Sequence, residues 1–128
     1  MATDPRPILD EHGSASSARI TGISAWQRPL TGLDGGYAFG NGRSEPVTTT
    51  TMVRVETDAG VVGWGEACPL GAGYRPGHAG GIAAALPVLA EAIRGADACH
   101  PWTVVERMDA AMAGETFAKS ALDMACHD

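Results

Sequence analysis

The side chains that could do chemistry in this chain fall into a few small groups. Asp58 and Glu66 are carboxylates near one another in sequence, and paired carboxylates are what general acid–base catalysis uses. Asp123 and Asp128 could be read as metal ligands, but they stand five residues apart in a helical stretch. That is more than one turn, so they do not face a single ion. Cys99-His100 and Cys126-His127 form a doubled Cys-His pair; zinc sites use spaced ligands, because neighbours seldom reach one tetrahedral ion. Lys119-Ser120 lacks the Ser-x-x-Lys order of serine acyl enzymes. Gly40-Asn41-Gly42 and Gly71-Ala72-Gly73 lack the further glycine or the Gly-Lys-Ser/Thr ending of phosphate loops, and read as flexible loop glycines. Turn chemistry accounts for Asp58, and Glu66 reads as an anchor for the loop after it. No catalytic residue and no metal ligand is therefore assigned within this chain.

The elements that must position these residues follow from periodicity. A strand is expected from Ala18 to Arg28, with a bulge near Gly22 and an end at Pro29, which cannot donate to a ladder. Val47–Thr57 alternates as a second strand, Asp58-Ala59-Gly60 turns, and Val61–Ala67 returns antiparallel. The period then becomes helical. Gly77–Ala85 and Pro87–Arg94 are two helical stretches, with Pro87 either kinking one helix or starting the next. Gly95 is a C-cap, Pro101–Met112 is a further helix, and a last one runs from near Glu115 to Asp128 without a stop signal. The expected fold class is α+β: a three-stranded antiparallel β-meander followed by a bundle of three to four helices. Two Gly-rich loops remain, Thr31–Pro46 and Cys68–Pro76. Long loops in compact domains tend to be functional, and Tyr37, Phe39, Leu70 and Tyr74 lie in these two.

Bulk properties narrow the functional classes. The 128 residues suit one domain, 45% hydrophobic and 19% charged. Only 5% are aromatic, and alanine fills places where a self-sufficient core would carry larger side chains. A core this thin suggests a piece that leans on something else. A net charge of −6 argues against nucleic-acid binding. No apolar run is long enough for a membrane helix, and Met1–Ser17 reads as a disordered tail rather than a signal peptide. Three widely spaced cysteines fit reduced thiols in a cytoplasmic protein.

Two phrases carry a family resemblance. Met52–Ala67 (MVRVETDAGVVGWGEA) resembles the hairpin, and Ala118–Asp128 (AKSALDMACHD) the final helix, of the N-terminal capping domain of the enolase superfamily, mandelate racemase/muconate lactonizing enzyme type. Glu66–Gly71 with Tyr74-Arg75-Pro76 further resembles members acting on hydroxyproline-type imino acids, the cis-3-hydroxy-L-proline dehydratases and proline-betaine epimerases. His127 departs from the Trp common there. The resemblance implies that residues 18–128 are a capping domain cut at the start of the barrel. The absent barrel would supply the Mg2+ ligands and the bases that abstract a proton α to a carboxylate. It also implies that the two loops close over a small carboxylate or amino-acid substrate, with Tyr37, Phe39, Leu70 and Tyr74 setting specificity. The chain alone would bind no cofactor and be inactive. A second reading is a free-standing, non-catalytic module that binds a partner barrel or forms a homo-oligomer through its unfinished helical face.

Overall fold

The computed structural model describes residues 17–71 and 73–128; the tail expected over Met1–Ser17 lies outside them except for Ser17. Five strands precede three helices: β1 (Ile20–Thr31), β2 (Tyr37–Ala38), β3 (Ser44–Glu45), β4 (Val47–Thr57), β5 (Val62–Ala67), α1 (Ala79–Ile93), α2 (Pro101–Ala111) and α3 (Thr116–His127). The main sheet is antiparallel with order β1-β4-β5, and β2 and β3 form a separate two-stranded ribbon. The fold is thus the expected α+β arrangement.

The alternation of β4 divides the sheet into two faces. Thr51, Val53 and Val55 point inward and are fully buried with Ile20 and Ala67. Met52, Arg54 and Glu56 lie on the outer face, where Trp26 stacks on Trp64 at 5.9 Å and Arg54 lies over the Trp64 ring. α1 and α3 cover the inner face with Ile82, Leu86, Leu89, Ala118, Ala121, Leu122 and Ala125. α2 adds Val104 and Met108 from the far side.

Glycine spacing sets how closely these layers approach. Gly63 and Gly65 of β5 face α3, and a β-carbon at either would run into the backbone carbonyl of Ala125 or Ala121. Alanine on α3 is the matching requirement, since larger side chains would hold the helix away. Along α3, small side chains thus serve close contact with β5.

One local expectation changes. β1 continues through Pro29, in register with Thr49; β1 is an edge strand, so a missing donor there faces no neighbour. The bulge does fall between Ile20 and Gly22. Of the two readings left open for Pro87, the structure takes the first: it sits inside one helix, α1, which makes three helices, within the expected three to four. Lys119 Nζ donates to Asp109 Oδ1 at 2.7 Å and to the Met112 carbonyl at 2.6 Å, bracing α3 against α2.

Asp97 ties the start of β1 to the α1–α2 connection. Its carboxylate accepts from the Ala18 amide at 2.9 Å and the Cys99 amide at 3.1 Å, and meets His100 Nδ1 at 3.2 Å. Partial burial pulls its pKa up, but those amides, with Ser17 and His100, more than offset this and hold it at about 2, below the ordinary 3.8. A lowered carboxylate pKa stabilises the fold fully above the ordinary value and progressively less as pH falls towards 2. Asp97→Asn is expected to cost about 1–2 kcal/mol at neutral pH. In urea melts the gap to the parent protein should close between about pH 4 and pH 2. Gly65→Ala is expected to cost at least about 3 kcal/mol, because only backbone could yield. Gly40→Ala, with nothing within 4 Å of its β-carbon, should stay within about 0.5 kcal/mol in the same melts.

Candidate functional site

Strand direction alone brings the two long loops together. β1 ends, β4 begins and β5 ends at one edge of the sheet, since neighbours run antiparallel. The 31–46 connection and the segment after Ala67 must therefore leave from that same edge. The Asp58–Val61 turn lies at the opposite one, which separates Asp58 from Glu66. Asp58 Oδ1 accepts from the Arg19 amide, and Glu66 accepts from the Thr50 hydroxyl. Neither forms an acid–base pair with the other.

The first loop is more ordered than its glycine content suggests. Its neck closes where the Gly32 amide donates to the Pro46 carbonyl at 3.2 Å. Gly36, at φ +98°, packs so tightly on the Glu45 and Pro46 backbone that no side chain fits. Beyond the neck Tyr37 pairs with Glu45 and Ala38 with Ser44. The ribbon turns through Gly42 at φ +81°, with the Phe39 amide donating to the Arg43 carbonyl at 2.8 Å. Asn41 Oδ1 accepts from the Arg43 amide. Alternation along such a ribbon puts Tyr37, Phe39, Arg43 and Glu45 on one face.

That face meets the second loop. Tyr37 and Phe39 contact edge to face at 5.1 Å, and Phe39 meets Tyr74 at 5.2 Å. Arg75 lies over the Tyr74 ring at 5.9 Å. Aromatic contacts of this kind contribute about 0.5–1.5 kcal/mol beyond burial. Phe39, Asn41, Arg43, Glu45, Gly73 and Tyr74 line a cleft of about 40 Å3. Of the residues expected to set specificity, Tyr37, Phe39 and Tyr74 form one continuous aromatic chain. Leu70 lies half-buried in the second loop, outside the cleft. Arg43 and Glu45 were not singled out by sequence. The signal was there: Gly-Asn-Gly flanked by Tyr-Ala-Phe and Arg-Ser-Glu is a hairpin pattern, which a reading of flexible loop glycines passes over.

A second cleft, of about 350 Å3, lies far from the loops and brings Cys99 and Cys126 to a common wall with Val55, Val61 and Pro101. Burial, followed by the nearby Asp123 charge, pushes the Cys126 thiol up to about 11; burial likewise raises Cys99, with Asp97 adding to it. Asp123 sits 3.6 Å from His127, while Asp128 Oδ2 accepts from the Trp64 amide at 3.0 Å. These aspartates thus have separate partners. Among the described residues no three His, Cys, Asp or Glu side chains converge as a metal site would require. No described helix is long and apolar enough to cross a membrane.

The architecture is thus an antiparallel meander, with two loops leaving one end of the sheet, covered by three helices. The sequence profile of the mandelate racemase/muconate lactonizing enzyme N-terminal domain matches residues 42–128, and the chain belongs to that family. It is 38% identical over 110 residues to a cis-3-hydroxy-L-proline dehydratase of Roseibium aggregatum, covering 86% of this chain and 30% of that protein. A mandelate racemase/muconate lactonizing enzyme of Roseovarius nubinhibens superimposes with a TM-score of 0.82 at 33% identity, over 88% of this chain and 30% of the other. An enolase-superfamily member from the same organism, complexed with magnesium, gives 0.78 at 34% identity over the same shares. The chain therefore spans about 30% of the length of these relatives.

The raised thiol generates a direct test. At pH 8 Cys126 should carry about a hundredfold less thiolate than an ordinary cysteine. Iodoacetamide labelling followed by peptide mapping should find it about a hundredfold slower in the folded chain than in guanidinium.

Proposed function

We propose that this chain is the capping and substrate-specificity domain of a metal-dependent carboxylate enzyme, a dehydratase or a racemase/epimerase that abstracts a proton α to a carboxylate. Residues 18–128 act as the capping unit, and a barrel domain completes the active site. The observation that carries this reading is the convergence of both loops, through Tyr37, Phe39 and Tyr74, at one edge of a rigid sheet. Loops so placed can close over a ligand held by a second domain and exclude water from it. Aromatic rings also suit a small ring-shaped amino acid, because their faces take apolar carbons and a cationic nitrogen alike. The dehydratase relative, named for cis-3-hydroxy-L-proline, is of that substrate class.

The chemistry divides accordingly. The carboxylates described here are engaged in capping, strand-edge and ion-pair contacts or lie apart from one another, and no donor set for a divalent ion is present among the described residues. Mg2+ and the proton-transferring base belong in this reading to the barrel, and this chain supplies closure and selection. Tyr37, Phe39, Leu70 and Tyr74 are the positions that set substrate preference.

The expected outcome is twofold. The 128-residue chain alone, supplied with Mg2+ and hydroxyproline, shows no turnover. In the full-length protein Tyr74→Ala lowers kcat/KM by about 10- to 100-fold, the scale of losing a well-packed closing contact. Turnover by the isolated chain that Tyr74→Ala abolishes would sink the proposal.

A further inference from the structure

The contacts between the two long loops come in a fixed order. At the foot, Cys68 Sγ donates to Thr48 Oγ1 at 3.7 Å. One step outward, a β-carbon at Gly71 would lie 2.7 Å from Glu45 Oε1 and 3.0 Å from its carboxyl carbon. Next, a β-carbon at Gly73 would lie 2.9, 3.1 and 3.3 Å from Nη2, Nη1 and Cζ of Arg43. Furthest out, the Tyr74 ring meets Phe39 at 5.2 Å. Position rises along the second loop, from 68 to 74, as it falls along the first chain segment, from 48 to 39. That is the antiparallel sense in which β4 pairs with β5. Side-chain contacts therefore prolong the β4–β5 pairing past its last backbone pair, Thr51 with Ala67.

Glycine is what lets the middle rungs close. Gly71 and Gly73 look flexible in sequence, yet each is a seat for a charged end that reaches across from the other loop. The reach of Glu45 starts from a pinned backbone, because Gly36 packs on its carbonyl and the Gly32 amide closes the neck onto Pro46 at 3.2 Å. A guanidinium is planar and weakly hydrated, so Arg43 can rest against another stretch of chain at little desolvation cost. A loop that swung alone would strip all four contacts. The pair moving together keeps them.

We propose that the two loops form one rigid body, and that Arg43 and Glu45 are positioning residues that hold Tyr74 in register with Phe39. Neither needs to touch a substrate for this. The coupling goes beyond the closing role proposed above: displacement of one loop carries the other with it, so the aromatic wall arrives or leaves whole.

Amide hydrogen exchange in the full-length protein, with peptide mapping, reads this coupling without a substrate. The three nearest atoms to a β-carbon at Gly73 all belong to the end of the Arg43 side chain, so Gly73→Ala should leave β4 fully protected. The ribbon across the gap, where the Phe39 amide donates to the Arg43 carbonyl, should exchange at least about fivefold faster, the low end of ordinary coupling between sites. Arg43→Ala should speed the Tyr74 amide, which donates to the Gly71 carbonyl at 3.2 Å, by a similar factor, since coupling is reciprocal. The double variant should be no faster than either single one, because both remove the same contact. Gly40→Ala, whose β-carbon meets nothing within 4 Å, should leave the second loop unchanged. Effects confined to the substituted loop, or effects that add in the double variant, overturn the inference. So does a loss of protection that spreads equally into β4, the mark of general destabilisation. Exchange needs no ligand, so the closing role is judged apart. If coupling fails and Tyr74→Ala still lowers kcat/KM, the loops close separately and only the inference falls. If coupling appears and Tyr74→Ala has no effect, the loops still move as one body and only the closing role falls.

Discussion

The contact on which the rest of the molecule depends is backbone against backbone, between β5 and α3. With no β-carbon at Gly63 or Gly65, the strand sits directly beneath the carbonyls of Ala121 and Ala125. That closeness decides much else. Alanine must line α3, the remaining apolar volume must come from the far sides of α1 and α2, and the sheet must keep a fixed tilt under the helices. Close-packed interiors transmit small displacements rather than absorb them. The second loop leaves directly from Ala67, a buried residue at the end of that same strand.

Much of this was legible in the residues. Val47–Thr57 announced β4 because one parity is buried and the other is not, and period two leaves little freedom in register. Pro87 was ambiguous in one dimension: a proline inside a helix and one that opens a helix look alike until the packing of Leu86 and Leu89 on one core face is known. Pro29 was misread because a strand's tolerance for proline depends on which neighbour it lacks, and sheet order is not a local property. The alanines of α3 were only half legible for a related reason. A small side chain can mean a weak core or a close approach, and only the facing glycines, more than fifty residues away in sequence, distinguish the two.

The loops divide in the same way. Their glycines and aromatics are visible one by one, but their convergence follows from antiparallel order, which places both at one sheet edge. Tyr37, Phe39 and Tyr74 stood out as scarce aromatics in polar loops. Arg43 and Glu45 did not, since an exposed Arg and Glu in a loop are ordinary until a ribbon puts them on the face that meets Gly71 and Gly73.

Each free border of the sheet is closed by a different device. On β5 the Trp64 amide is taken by the Asp128 carboxylate, so that strand has one donor fewer to offer a stranger. On β1, Pro29 has no donor at all. Unpaired strand borders template the stacking of one chain on another, and a three-stranded sheet has two of them for very little interior. The proline that misled the reading of β1 thus leaves a gap in the donor row of a twelve-residue strand, and a gap of that kind disfavours the addition of a second chain to the border.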